Sequence, residues 1–319
     1  MNYLWTKYLF YKFIDDEKIY LYNFRNGKDF FLSKEEFETK KFKDDNEFHF
    51  LVSNEFLVDS NVDELSEYIA NAENEVLTKH KLELTIIPTS IGKYVNFMNL
   101  GYCENSNENL IGKSAFQNSI INRNSISLIL KIFYQMNLEN LDVLDLGCGR
   151  CGAIYTIQRM YKSCRLYGID ICKNGLLGKI TNNELIICDF QNDIPFESDS
   201  FNLVYSIEVF HVITYMDKAL QNIYRVLKRG GEFIIADAFT SNKCQSILEY
   251  AKKVGFTLLR ICDITKNVLQ SCKAISKNRI EVLGKSYREM IGAPGSSFFT
   301  QMENGILRYK VFYFTKKNE

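Results

Sequence analysis

The chain has 319 residues, enough for one large α/β domain, a smaller companion and a substantial buried core. Apolar residues make up 46% and charged residues 24%, an ordinary globular balance, and 39 Lys plus Arg offset 39 Asp plus Glu. A formal charge of zero argues against a dedicated nucleic-acid or membrane-surface binder. No run of about 18 apolar residues offers a transmembrane helix.

Lysines and tyrosines interrupt the N-terminal run MNYLWTKYLFYKF, so it does not read as a secretory signal. From there the first elements are strands, Tyr8 to Phe13 and Lys18 to Tyr22, aromatic with polar residues between. Asn26-Gly27 is a type I′ hairpin signal ahead of Phe30-Phe31-Leu32. Ser33 with Glu36 three residues on forms a capping box for a short helix. A second helix is expected over about 45–56, and Val62, Leu65 and Ile69 have helical spacing over 62–77. Strands followed by helices over 1–85 give the pattern of a small winged-helix-like α+β domain; 78–95 reads as a connector.

From Ser119 the pattern changes. Ile120 to Ile132 suits a buried helix. Short apolar runs then alternate with helical ones: Asp142–Leu146, Leu166–Asp170, Leu185–Cys188, Leu203–Ile207, Phe233–Asp237 and a closing run Ile306–Thr315. This alternation predicts an α/β domain over 86–319 with a mainly parallel sheet and helices on both faces. Tyr224 to Gly231 reads as a helix ended by glycine before a strand. The nine cysteines, Cys103 to Cys272, lie mostly in strands or glycine turns and read as reduced thiols of a cytoplasmic protein. Cys148 and Cys151 form a C-x-x-C spacing, but no second pair is near and no metal site is expected.

The chemistry centres on Val143-Leu144-Asp145-Leu146-Gly147-Cys148-Gly149-Arg150-Cys151-Gly152, a strand ending in a glycine turn before a helix. Glycines let backbone turn sharply and approach a ligand without an intervening Cβ. The string also matches a dinucleotide fingerprint, with Asp170 at about the right distance. Asp145 separates the two readings. Its charge, two residues before the first glycine, repels a pyrophosphate but favours the ammonium and sulfonium of S-adenosylmethionine. Asp170 is placed to accept from both ribose hydroxyls, and Asp189 from the adenine amino group with Phe190 beside the ring. Ile171 and Ile207 are further candidate cofactor contacts.

Together these motifs resemble the class I S-adenosylmethionine-dependent methyltransferases over about 95–315, most closely the bacterial natural-product O-methyltransferases. The resemblance implies a seven-stranded Rossmann-like sheet with an antiparallel last strand, and a substrate cover from the N-terminal helix and the segment 264–305. Asn96-Phe97-Met98-Asn99-Leu100-Gly101-Tyr102 looks like the family's entry segment, which makes Tyr102 a cofactor candidate. Cys103 stands where an aromatic residue is usual, and Cys151 where a glycine is usual. Asp263-Ile264-Thr265 and Gly295-Ser296-Ser297 also resemble that subgroup. In related sugar O-methyltransferases a histidine after the fourth strand acts with an aspartate after the fifth. His211 and Asp237 match these positions and are the expected catalytic pair.

Residues 1–85 resemble, on Tyr20-Leu21-Tyr22-Asn23 and Phe56-Leu57-Val58-Asp59, the leader-peptide recognition domain of enzymes that modify ribosomally made peptides. Two functions follow. One is O-methylation of a ribosomal peptide whose leader is held by 1–85 as an added strand. The other is O-methylation of a lipid, glycoside or polyketide, with 1–85 acting as a cover or homodimer contact. A cofactor-binding protein without catalysis is a third reading, opposed by intact Asp145, Asp170, Asp189, His211 and Asp237. S-adenosylmethionine is the expected cofactor and S-adenosylhomocysteine its product.

Overall fold

A computed structural model describes residues 3–6, 9–13, 17–23, 28–61, 97–111, 122–171, 184–283, 288–289 and 291–317. The chain divides into two compact units, Met1–Glu83 and Leu84–Glu319.

In the first unit, strands β2 (Leu9–Phe13), β3 (Lys18–Asn23) and β4 (Asp29–Ser33) form an antiparallel sheet in that order. The Ser33 capping box forms as the sequence predicts: Ser33 Oγ accepts the Glu36 N–H at 3.2 Å, and the Ser33 N–H donates to Glu36 Oε2 at 3.0 Å. It opens helix α1 (Lys34–Thr39). Helix α2 (Asp45–Ser53) is shorter than expected, because Glu55 turns into left-handed backbone at φ 56°. Two strands escape the sequence reading: β1 (Tyr3–Trp5) and β5 (Leu57–Asp59), each of three residues, pair antiparallel. Ile19, Leu21, Leu32, Leu51, Phe56 and Leu57 form this unit's core. The expected hairpin turn at Asn26-Gly27, the helix at 62–77 and the connector at 78–95 lie outside the described residues.

The second unit is a seven-stranded mixed sheet flanked by helices. Its strands are β6 (Asp142–Leu146), β7 (Arg165–Asp170), β8 (Glu184–Ile187), β9 (Phe201–Ile207), β10 (Leu227–Phe239), β11 (Phe256–Asp263) and β12 (Arg308–Lys316), in the order β11-β12-β10-β9-β6-β7-β8. Strand β12 runs antiparallel between β10 and β11; the other pairings are parallel. The chain leaves β6 towards β7 and β8, then crosses to β9 on the other side. The crevice beyond the C-terminal end of β6 is thus the topological switch point, where ligands of open α/β sheets bind.

Central strands are apolar on both faces, so alternate residues feed two cores. Val143, Leu203, Tyr205, Ile234 and Ala236 pack with helices α3 (Arg123–Ile132) and α4 (Gly152–Met160). Leu144, Leu146, Val204, Phe233 and Ile235 pack with α5 (Met216–Val226) and α6 (Ser241–Val254). Helix α5 buries Met216, Ala219, Leu220, Ile223 and Val226, one stripe at helical spacing. Each large side chain fully buried this way contributes about 1.5–3 kcal/mol.

The expectation that Gly230-Gly231 caps α5 is corrected. The helix stops at Val226, Leu227 already being extended at φ −79°, ψ 131°. The freed Tyr224 and Leu227 carbonyls accept from the buried Lys316 Nζ at 2.9 and 2.7 Å. The glycines instead lie inside β10, at a register irregularity between Leu227 and Glu232. Strand β11 was also missed. It is an edge strand with Leu258, Leu259 and Ile261 exposed, so it lacks the in–out alternation that marks a half-buried strand. The segment 264–305 supplies helices α7 (Thr265–Leu283) and α8 (Ser297–Glu303).

Candidate active site

The glycine loop turns where β6 ends. The Gly147 and Cys148 N–H groups donate to the Ile169 carbonyl at 2.8 and 3.0 Å, tying the loop to β7. Gly147 has φ +75°, and a Cβ there would lie 2.4 Å from Val209 Cγ2, so packing and backbone both demand glycine. Gly149 differs. It has φ +51°, and a Cβ added to it meets nothing within 4 Å, so this part of the loop borders open space. Cys151, also left-handed at φ 62°, precedes α4.

Two carboxylates converge on the loop. Asp170 Oδ2 accepts the Gly149 N–H at 2.8 Å. Asp145 is buried, and its Oδ2 accepts from the Tyr205 hydroxyl at 2.9 Å. Burial pushes the Asp145 carboxyl up to about 8; the nearby Asp170 charge adds to this, and the Tyr205 hydroxyl offsets it only partly. A buried acid in this condition can release its proton and pair with an arriving cation, a gain that a phosphate does not receive. Open space at Gly149 and the two carboxylates that flank the loop fit S-adenosylmethionine better than a dinucleotide.

The other cofactor candidates fall in different places. Asp189 sits after β8 and spans a turn, accepting from the Gln191 N–H at 3.0 Å and from the Asn192 amide at 3.4 Å. Ile171 and Ile207 are half-buried at the ends of β7 and β9. Phe190 does not lie open beside a ligand: it is buried in the core with its ring stacked on Phe210 at 6.1 Å. Tyr102 is likewise packed inside, its hydroxyl donating to Glu108 Oε2 at 2.7 Å and its ring facing the Lys131 ammonium at 5.5 Å. Of the aromatic residues near this sheet edge, Phe210 and Tyr205 are both fully buried, whereas Tyr215 is exposed. Cys148 and Cys151 are buried free thiols. The hydrogen bond with the Cys151 thiol, then burial and the neighbouring Asp145 and Asp170, push the Cys148 thiol well above its usual pKa.

At the same sheet edge the expected catalytic residues meet. His211 follows β9 in a short 3-10 turn, Phe210–Val212, and Asp237 stands near the end of the neighbouring β10. Asp237 Oδ2 lies 2.9 Å from both the His211 backbone N and its ring Nδ1. Asp237 Oδ1 accepts the Ala238 N–H at 2.7 Å. A carboxylate only accepts, so Nδ1 carries the proton and neutral His211 presents a lone pair on Nε2. The Asp237 side chain is 3% exposed and that of His211 40%, so a sealed acid orients a reachable imidazole. Burial lowers the imidazole pKa, but the Asp237 charge and hydrogen bond, with Glu208 behind them, raise it overall above its usual value.

Glu208 joins this edge to distant parts of the chain. It adopts left-handed backbone at φ 59°. Its Oε1 accepts from the Leu100 N–H and the Tyr309 hydroxyl, both at 2.9 Å. Burial pushes its carboxyl up to about 7, and Asp237 adds to the rise; the Leu100 and Tyr309 hydrogen bonds and the Arg279 charge act against it. Glu208 thus ties the entry segment and β12 to the sheet edge that carries His211 and Asp237. The sequence signal was a lone acid just past a buried strand, and only the fold shows that Leu100 and Tyr309 arrive there.

Comparison with known proteins agrees with this geometry. A family model described as a methyltransferase domain matches residues 144–235. The chain is 26% identical over 208 residues to the phthiotriol/phenolphthiotriol dimycocerosates methyltransferase of Mycobacterium leprae, covering 61% of this chain and 77% of the relative. It is 30% identical over 149 residues to the fatty-acid O-methyltransferase of Mycolicibacterium smegmatis, covering 45% and 53%. Two solved structures share the fold. The [4+2]-cyclase SpnF superposes with a TM-score of 0.57 at 16% identity, over 77% of this chain and 97% of that one. The O-methyltransferase of a trans-AT PKS multienzyme of Brevibacillus brevis, bound to S-adenosylhomocysteine, gives 0.51 at 19%, over 62% and 74%. Among the described residues, no helix is long and apolar enough to cross a membrane, and no cluster of three or more His, Cys, Asp or Glu side chains could hold a metal ion. The switch-point glycine loop, its acidic lining and the sequence relatives together identify the chain as a class I S-adenosylmethionine-dependent methyltransferase.

Proposed function

We propose that the protein O-methylates a hydroxyl group of a small, largely apolar acceptor, with His211 removing the hydroxyl proton and Asp237 orienting the imidazole. The observation that carries this reading is the double contact of Asp237 Oδ2 with the ring and backbone nitrogens of one histidine, at 2.9 Å each. Such a contact fixes both tautomer and ring direction. When bound, S-adenosylmethionine supplies a methyl carbon activated by its sulfonium. The chain's own task is then to align an oxygen about 3 Å from that carbon and take its proton. Asp170 is assigned to the ribose hydroxyls, Asp145 to the cofactor's positive charge, Asp189 to the adenine amino group, and Gly147, Gly149, Ile171 and Ile207 to the crevice wall. Phe190 and Tyr102 receive no such role, because their side chains are committed to the core and to Glu108.

The small-molecule acceptor is preferred to a ribosomal peptide held by residues 1–85, because the relatives are named for fatty acids and for dimycocerosates. The test offers hydroxylated lipids and hydroxylated peptides in parallel and measures S-adenosylhomocysteine release. Lipid turnover that falls roughly 10²- to 10⁴-fold in His211→Ala, with cofactor affinity within about twofold of wild type, is the expected result. Turnover with peptides alone overturns the acceptor class. Undiminished turnover in His211→Ala overturns the base.

A further inference from the structure

Behind Glu208 lies a cation that the chemistry above does not use. Arg279 is on α7, one helical face with Cys272 and Ser276, which are both buried. Its guanidinium is half-buried, and its Nη2 donates to Ser125 Oγ at 2.7 Å, at the start of α3. Among the described residues that is the guanidinium's single hydrogen bond, and no carboxylate lies within ion-pair distance. Arginine has five N–H donors in a planar fork, so most of this fork is unused. The remaining nitrogens are not sealed against apolar atoms either, since neither is among the buried side-chain atoms left without a partner.

The guanidinium thus lies between α7 and the start of α3. Ser271, on the same helix, fixes the entry segment by donating to the Leu100 carbonyl at 2.8 Å. Glu208, whose carboxylate holds the Leu100 N–H from the other side, is close enough to favour the charged guanidinium. Its own oxygens are occupied by Leu100 and Tyr309, so it biases Arg279 without pairing with it. Burying a cation without a partner is costly. A guanidinium held by one serine, with most of its fork unused, is suited to receive a planar anion.

We propose that Arg279 receives a carboxylate of the methyl acceptor, which makes the acceptor an acid with an apolar body. The inference rests on the O-methyltransferase reading above and deepens it. The carboxylate is an anchor; the oxygen that His211 deprotonates belongs to a hydroxyl elsewhere on the same molecule. Arg279 is then a specificity-determining residue, and Ser125 positions it.

The test uses the full chain loaded with S-adenosylhomocysteine, with dodecanoate and 1-dodecanol as probes in calorimetry. Wild type is expected to bind dodecanoate at least about tenfold more tightly than dodecanol, a charged hydrogen-bonded pair supplying that margin. Arg279→Gln is expected to abolish the preference and Arg279→Lys to keep part of it. Ser125→Ala should weaken it with the fold intact. His211→Ala should leave it unchanged, so failure of the base assignment and failure of the anchor give different results. Equal affinity for the two probes, no dodecanoate binding, or a preference that survives in Arg279→Gln overturns the proposal. So does an Arg279→Gln variant that loses affinity for S-adenosylhomocysteine alone, because the guanidinium then serves the cofactor's carboxylate.

Discussion

Replacing Asp237 with asparagine keeps the side chain's size and removes its charge. In the wild-type chain Asp237 Oδ2 accepts two N–H groups of His211 at 2.9 Å, and Oδ1 accepts the Ala238 N–H at 2.7 Å. Asparagine offers one acceptor oxygen and one NH₂, so whichever way the amide turns, an N–H faces another N–H. Hydrogen bonds to a charged partner contribute about 1.5–3 kcal/mol. Losing the ring bond when the imidazole takes up the proton should therefore slow turnover roughly ten- to a hundredfold.

The same substitution has a signature that needs no acceptor. Burial lowers the His211 pKa, but Asp237 raises it overall above 6.5, so the folded chain holds the imidazole proton more tightly than the unfolded chain. The pair therefore stabilises the fold below about pH 6.5, and that contribution is lost as pH rises through the folded-state value. Asp237→Asn should lower the His211 titration, and its stability deficit should be larger near about pH 5.5 than near about pH 8.5. The assay is imidazole NMR on a chain with 3 histidines, assigned with His211→Ala, beside thermal melts at both pH values. A His211 titration that does not move in Asp237→Asn refutes the reasoning, because the carboxylate is its main source of upward shift.

Two further outcomes follow from the glycine loop. With its pKa near 8, Asp145 is mostly protonated in the free protein at neutral pH, so a cationic ligand that pairs with the carboxylate must release that proton. Affinity for S-adenosylmethionine should rise with pH by up to about tenfold per unit and flatten above the carboxyl's own pKa; Asp145→Asn should be weaker and pH-independent by calorimetry. Flat wild-type affinity would separate Asp145 from the cofactor. Gly147→Ala and Gly149→Ala should diverge, although both sites have positive φ. The first drives a Cβ to 2.4 Å from Val209 and should lower the melting temperature, while the second meets no atom and should chiefly weaken cofactor binding. Equal effects on melting would contradict that division. The shared left-handed strain is about 1–2 kcal/mol at each position.

Several features were legible because they are local. The capping box at Ser33 and Glu36 needs only a four-residue spacing, and the strand-to-glycine turn at Asp145 to Gly152 needs only a buried run beside residues without Cβ. His211 and Asp237 were legible one at a time, each just beyond or near the end of an apolar strand. Elements whose stability comes from partners were not. Strands β1 and β5 are too short to carry a pattern, and each exists because the other supplies its hydrogen bonds. The end of α5 was misplaced because the side chain that holds its carbonyls, Lys316, arrives from the last strand.

The sequence by itself determined the α/β class, the parallel alternation and the acidic glycine loop, since apolar periodicity and backbone freedom are properties of neighbouring residues. Only the tertiary structure decided which side chains share a site. Parallel pairing of β9 with β10 brings Asp237 to His211. The left-handed turn at Glu208 gathers the entry segment and β12. Packing buries Phe190 against Phe210 and ties Tyr102 to Glu108. Those arrangements depend on distances between residues far apart in the chain, and spacing along a sequence does not encode such distances.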